Sequence, residues 1–272
     1  MHGRHGRVGR AGRQHTVELE SILLAVSAVA GDPELLLLRT KLAPPIPRGL
    51  VARDELVGAL ADGLSRPLTL ILGPAGSGKT SLLAQWRLST REGQSAAWLA
   101  LDVSDNEPTR FWTYVIAALQ SVCPDVGETA FRLLRAPGVD LLEETLPALL
   151  NDLLETAQET VLVVDDYHVI HDELIHRAMA FFLEQLPDGH RVVIASRSQP
   201  PFPAATLRAR GALSEIEPVQ LGFSEPEAQA LLNDVHGLGL ADGAVRSGRT
   251  EGGPRACTWP RCRCAAARTW MS

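Results

Sequence analysis

Lysine is nearly absent from this chain: Lys41 and Lys79 stand against 24 arginines in 272 residues. Surface cations here are ordinarily arginine, so a retained lysine marks a place where a compact, mobile charge is needed. Cysteine is scarce too. Cys257, Cys262 and Cys264 crowd the C-terminal end, and only Cys123 lies in the body. Cys262-x-Cys264 is too tight for zinc, and no histidine lies nearby to complete a site, so free thiols in a cytosolic chain are expected. Long apolar runs are missing. The run SILLAVSAVA at 21–30 is too short to cross a bilayer. It faintly resembles a signal-peptide core with Ala28-Val29-Ala30 as the cleavage signal, but Glu18 and Glu20 abut it. The body also lacks a basic surplus. Of the net charge of −6, residues 1–16 carry +4 and residues 250–272 carry +3, which leaves −13 for the middle. A body that acidic is a poor non-specific nucleic-acid binder. No helix-turn-helix pattern, nucleophile triad or zinc spacing is present, so direct DNA binding and those chemistries are not expected.

What is present begins at Gly73-Pro74-Ala75-Gly76-Ser77-Gly78-Lys79-Thr80. This is the Walker A phosphate loop, with an apolar strand (68–72) before it and a helix after. The glycines let backbone N–H groups close on phosphates, and the helix N-terminus, entered through Thr80 and Ser81, adds its dipole. Lys79 is placed for the β- and γ-phosphates of ATP or ADP, and the Thr80 hydroxyl for Mg²⁺. Gly73 to Ser81 are therefore the expected nucleotide-binding residues, and Lys79 also has a catalytic role.

The rest of the chain alternates strands with helices. A proline-rich entry (41–48) leads to a helix from about Arg53 to Leu64. Strands are expected at 68–72, 96–101, 160–164, 191–195 and 213–216, with helices at 108–122, 141–154 and 174–186 from their apolar spacing. Ser224-Glu225-Pro226-Glu227 reads as a capping box opening a further helix. Continuous apolar strands between amphipathic helices imply an α/β P-loop NTPase fold. Its parallel sheet would carry helices on both faces, with ligands at the C-terminal strand ends. Residues 1–15 repeat Gly-Arg every third position. This leader either touches nucleic acid weakly or extends upstream of the true start codon.

Val161-Leu162-Val163-Val164-Asp165-Asp166 supplies the second signal. A carboxylate ending a buried strand is costly unless a cation or hydrogen bonds compensate it. Asp165 is expected to hold Mg²⁺ opposite Thr80, and Asp166 to orient or deprotonate the attacking water. Arg197, just past another strand, is a candidate γ-phosphate sensor, and Arg53 a candidate nucleotide contact from the entry segment. His168 and His171 lack a third ligand and read as loop residues. Trp86, Phe111 and Trp112 read as core.

With these motifs on the page, residues 39–252 resemble the nucleotide-binding domain of the large MalT-like transcriptional activators. These are signal-transduction (STAND-class) ATPases ending in a LuxR-type helix-turn-helix. The resemblance rests on Thr40-Lys41-Leu42-Ala43-Pro44-Pro45, Leu50-Val51-Ala52-Arg53 and the phosphate loop running into Leu82-Leu83-Ala84-Gln85-Trp86. It continues through Trp98-Leu99-Ala100-Leu101-Asp102, Asp105-Asn106-Glu107-Pro108, Asp165-Asp166-Tyr167-His168, Ala195-Ser196-Arg197 and Thr250-Glu251-Gly252. It implies a switch that is ADP-bound at rest and ATP-bound when an inducer is sensed, and that then self-associates. Hydrolysis would be slow and would reset it.

The expected organisation is a leader at 1–38, the ATPase domain at 39–222, the start of a helical region at 223–252, and a departure at 253–272. After Gly252 the apolar periodicity is lost. Restoring one lost base before Gly253 converts the next twelve residues to Trp-Ala-Ala-Gly-Leu-His-Leu-Ala-Ala-Leu-Ser-Leu, the continuation the family pattern calls for. The tail is thus expected to be read out of frame, ahead of missing sensor and DNA-binding parts. A stand-alone AAA-like P-loop ATPase and an inert remnant are the alternatives. A cytoplasmic location and no membrane association are expected.

Overall fold

The computed structural model describes residues 37–46, 49–89 and 95–235. The Gly-Arg leader, the apolar run at 21–30, the three C-terminal cysteines and the proposed frame change all lie outside the described residues.

Among the described residues five strands form one parallel sheet: β1 (Leu68–Leu72), β2 (Ser95–Ala100), β3 (Thr160–Asp165), β4 (His190–Ser196) and β5 (Leu213–Ile216). Their order across the sheet is β2-β3-β4-β1-β5. Among the described residues eight α-helices precede, join and follow the strands: α1 (Asp54–Gly63), α2 (Lys79–Ser89), α3 (Pro108–Gln120), α4 (Glu128–Leu134), α5 (Leu146–Glu155), α6 (Glu173–Glu184), α7 (Ala204–Ala209) and α8 (Glu225–Ala230). Every residue of β3 is buried, and only Arg191 of β4 is not. Side chains on both faces of these strands are thus out of water, which is why they read as unbroken apolar runs rather than alternating ones. Among the described residues no helix is long and apolar enough to cross a membrane.

Contacts divide the chain into two compact units. The first takes in residues 37–44, 95–164 and 169–192. Its core joins α3 to α6, with the Trp112 ring edge-on to Phe111 and to Phe182, each at 5.5 Å. Lys41 is buried in this unit, 2.8 Å from Asp102 and 2.6 Å from Asp105, with its ammonium 4.8 Å from the centre of the Tyr114 ring. Asp105 is fully buried and also accepts from Arg110 Nε at 3.2 Å. Hydrogen bonds from Lys41 and then Ser104 outweigh burial and hold Asp102 down at about 2. The scarce second lysine is therefore a buried counter-ion. A surface reading would have missed it.

The second unit takes in residues 45–46, 49–89, 165–168 and 193–235. Here β1 and β5 pair in parallel from Leu68 with Leu213 to Ile71 with Ile216. Arg66 Nη1 donates to Leu213 O at 2.8 Å just ahead of β1. Gly63, in the last turn of α1, lies so close to β1 and β5 that a Cβ there would fall 2.9 Å from Ser214 Oγ.

The expected helix at 141–154 is interrupted. A π-turn (Leu141–Thr145) precedes α5. Asp140 takes the N–H groups of Leu142 and Glu143 on its side chain, and Thr145 N–H bonds back five residues to Asp140 O. Pro147 supplies no N–H, so α5 restarts with proline in its first turn.

Candidate functional site

The site is built in the second unit where β1 turns into α2. Gly76 and Gly78 have φ of 77° and 88°, a left-handed backbone that residues bearing a Cβ adopt at a cost. Gly73 is closely packed instead. A Cβ there would fall 2.6 Å from both Leu221 Cδ1 and Ser77 Oγ. Gly73 N–H donates to Ser196 O at 3.2 Å, which ties the start of the loop to the end of β4. Leu82 N–H closes the first turn of α2 on Gly78 O at 2.8 Å. The earlier N–H groups at this helix start have no place in the helical ladder and can serve an anion.

Lys79 is buried, and its Nζ donates to the carbonyls of Gly73 at 2.7 Å and Pro74 at 3.0 Å. Burial lowers its pKa, Asp165 and Asp166 raise it, and Arg197 lowers it further. Arg197, an exposed residue beyond β4, thus acts electrostatically on the loop lysine, although no hydrogen bond joins them. Ser77 Oγ is a buried polar atom with no partner among the described residues. Such a hydroxyl is costly unless a ligand or water completes it. Pro74, Ala75 and Gly76 form the exposed outer arc of the loop, while Thr80 and Ser81 in the first turn of α2 are half-buried.

Thr80 Oγ1 donates to Asp165 Oδ2 at 2.7 Å. Asp165 ends β3 and is 3% exposed. Burial raises its pKa, and the Thr80 hydroxyl only partly offsets that. A hydroxyl and a carboxylate converging without an ammonium or guanidinium on the carboxylate form a donor set that suits a hard cation. Mg²⁺ in phosphate sites takes one or two such oxygens, with water and phosphate filling the rest. The described residues hold no group of three or more His, Cys, Asp or Glu able to bind a metal, and a site of this kind needs none.

Asp166 follows with φ of 59°, the only non-glycine residue with positive φ among those described. Its N–H donates to Asp165 Oδ1 at 2.9 Å, and its side chain is 45% exposed. The kink separates the two acids: one carboxylate is buried against Thr80 and the other is open to water. His168 Nδ1 lies 3.6 Å from Asp166 Oδ1. This histidine, expected to be an ordinary loop residue, is therefore a neighbour of the exposed acid. Tyr167 points the other way, its ring edge-on to Phe202 at 5.5 Å.

Arg53 departs most from expectation. It is buried, its N–H donates to Gln85 Oε1 at 3.1 Å, and its guanidinium donates to the carbonyls of residues 220–222 and to Glu227. Its fork is used by protein groups, three main-chain carbonyls and the Glu227 carboxylate. His171 is exposed and donates its backbone N–H to Asn106 Oδ1 at 2.6 Å.

Comparison with known proteins gives this arrangement its relatives. The chain is 37% identical to the HTH-type transcriptional regulator MalT of Serratia proteamaculans (strain 568) over 195 residues, covering 71% of this chain and 21% of that protein. It is 34% identical to the serine/threonine-protein kinase PknK of Mycobacterium tuberculosis (strain ATCC 25618 / H37Rv) over 210 residues, covering 76% of this chain and 19% of that one. Among solved structures, a signal-transduction ATPase with numerous domains and a tetratricopeptide-repeat sensor from Pyrococcus horikoshii aligns with TM-score 0.44 at 16% identity, covering 70% of this chain and 26% of that one. The chain spans about a fifth of the length of these curated relatives. The AAA ATPase domain model matches residues 49–194, a span that holds the phosphate loop, Asp165 and Asp166, and the chain belongs to the AAA ATPase domain family.

Proposed function

We propose that this chain is the ATP-binding switch domain of a MalT-like transcriptional regulator, and that it is a slow, Mg²⁺-dependent ATPase. The observation that carries the reading is the 2.7 Å contact of Thr80 Oγ1 with the buried Asp165 carboxylate, beside a loop whose Ser77 hydroxyl is buried without a partner among the described residues. When bound, Mg²⁺ would neutralise charge on the phosphates. Thr80 and Asp165 would hold it. The N–H groups of residues 73–81 and the Lys79 ammonium would bind the β- and γ-phosphates, and Lys79 would swing to them from the Gly73 and Pro74 carbonyls. Asp166, solvent-facing on its kinked backbone, would orient the attacking water and accept its proton. Arg197 would report the γ-phosphate.

ATP against ADP would then set whether the domain self-associates, with DNA contact left to parts other than these residues. Residues 39–222 would form the ATPase domain and 223 onward the start of a helical region. The site calls for a cytoplasmic supply of ATP. The test is direct: Lys79→Ala, titrated with ATP and Mg²⁺ by calorimetry, should show no binding where the parent chain saturates. An unchanged ATP affinity in that variant would sink the assignment.

A further inference from the structure

Three consecutive carbonyls face one guanidinium. Arg53 Nη1 donates to Leu221 O at 2.9 Å, and Nη2 donates to Gly222 O at 2.7 Å and Gln220 O at 3.4 Å. Nε and Nη2 also reach the Glu227 carboxylate, at 3.2 and 3.5 Å, and the guanidinium lies 4.9 Å from the centre of the Phe223 ring. Glu227 closes the capping box of α8 by accepting from Ser224 N–H at 2.7 Å. Burial works against that carboxylate, yet the Ser224 N–H and the Arg53 guanidinium outweigh it and hold Glu227 below its ordinary range. Leu221, the middle residue of the three, is 1% exposed and packs its Cδ1 against Gly73 of the phosphate loop. The contacts run without a break from Gly73 through Leu221 and Arg53 to Glu227 and α8.

We propose that Arg53 is a positioning residue that couples occupancy of the phosphate loop to the seating of α8. The proposal rests on the nucleotide reading above and gives that site a mechanical output. Leu221 can brace Gly73 only while its flanking carbonyls are held, and the planar five-donor fork of arginine spans all three together with a carboxylate. A lysine ammonium, with three donors at one point, cannot. Occupancy that stiffens the loop therefore stiffens the seat of α8, and by linkage a firmly seated α8 raises affinity for the occupant.

The test is amide hydrogen exchange on the full 272-residue chain, with and without Mg²⁺ and a non-hydrolysable ATP analogue. The analogue should slow exchange of the amides between residues 224 and 231. Arg53→Lys and Glu227→Gln should lose that slowing, and their affinity for the analogue should fall by about 5-fold or more, the lower end of allosteric couplings. Leu221→Ala should do the same from the loop side. If Arg53→Lys shows no cooperative thermal transition, the other two variants carry the test. The coupling is overturned if the parent chain binds the analogue while those amides exchange unchanged. It is equally overturned if the variants keep both the slowing and the parent affinity. Absence of analogue binding in the parent chain would instead refute the nucleotide reading, and the coupling with it.

Discussion

At the scale of single residues, Asp166 is the most informative. A left-handed backbone costs a residue with a Cβ roughly 1–2 kcal/mol, and aspartate is among the few types that tolerate it. The kink turns this carboxylate to solvent while Asp165 stays buried against Thr80. Asparagine tolerates the same backbone and has nearly the same shape, so Asp166→Asn removes the charge and little else. We expect that variant to bind ATP as the parent does and to hydrolyse it about 100-fold more slowly or worse, the usual contribution of a general base. Single-turnover hydrolysis measures this, and equal rates would remove Asp166 from the chemistry. The acid pair and the loop were legible because each obeys a local rule: glycine where the backbone must turn, and acid at the end of an apolar strand. The contact of His168 with Asp166 and the carbonyl clamp of Arg53 were not. The first depends on a turn with no periodicity, and the second joins residues 174 apart in sequence.

At the scale of elements, apolar patterning located each described strand to within a residue at either end, most clearly the buried apolar runs of β3 and β4. It failed where helices are short or locally rerouted. α4 has only seven residues, too few for a period to register, and starts from Gly127 with φ of 83°. That glycine donates its N–H to Asp152 Oδ2 at 2.8 Å, and a Cβ there would fall 2.7 Å from Ile116 Cγ2. Gly127→Ala would therefore combine backbone strain with overpacking against α3. We expect a loss of about 2–4 kcal/mol in unfolding free energy, read from urea melts. An alanine variant as stable as the parent would show that α4 can start in another way. The π-turn before α5 has a comparable cause, since Asp140 and Pro147 act on the backbone without disturbing the apolar spacing of the leucines.

At the scale of the whole molecule, stability should depend on pH through a residue remote from the phosphate loop. His190 opens β4 fully enclosed: the Thr160 hydroxyl donates to Nδ1 at 2.7 Å, and Nε2–H donates to Leu153 O at 2.8 Å. Both bonds are those of the neutral ring. Burial lowers its pKa, the Leu153 carbonyl opposes that, and Arg191 lowers it further. The folded form therefore binds a proton less readily than the unfolded chain, and stability should fall as pH drops below about 6.5, the unfolded value. His176 is shifted the same way by burial, so His190→Gln should shrink the loss in Tm between pH 7.5 and 5.5 without abolishing it. An unchanged loss would place the titration elsewhere. The buried ammonium of Lys41 has a practical corollary for where this domain may be cut. The family match opens at residue 49, so a fragment excised there would strand Asp105 in the interior with Arg110 as its remaining cation. Removing one member of a buried ion pair typically costs about 3–5 kcal/mol. The smallest piece able to stand alone therefore starts upstream of Leu38, whose N–H donates to the Tyr114 hydroxyl at 3.1 Å.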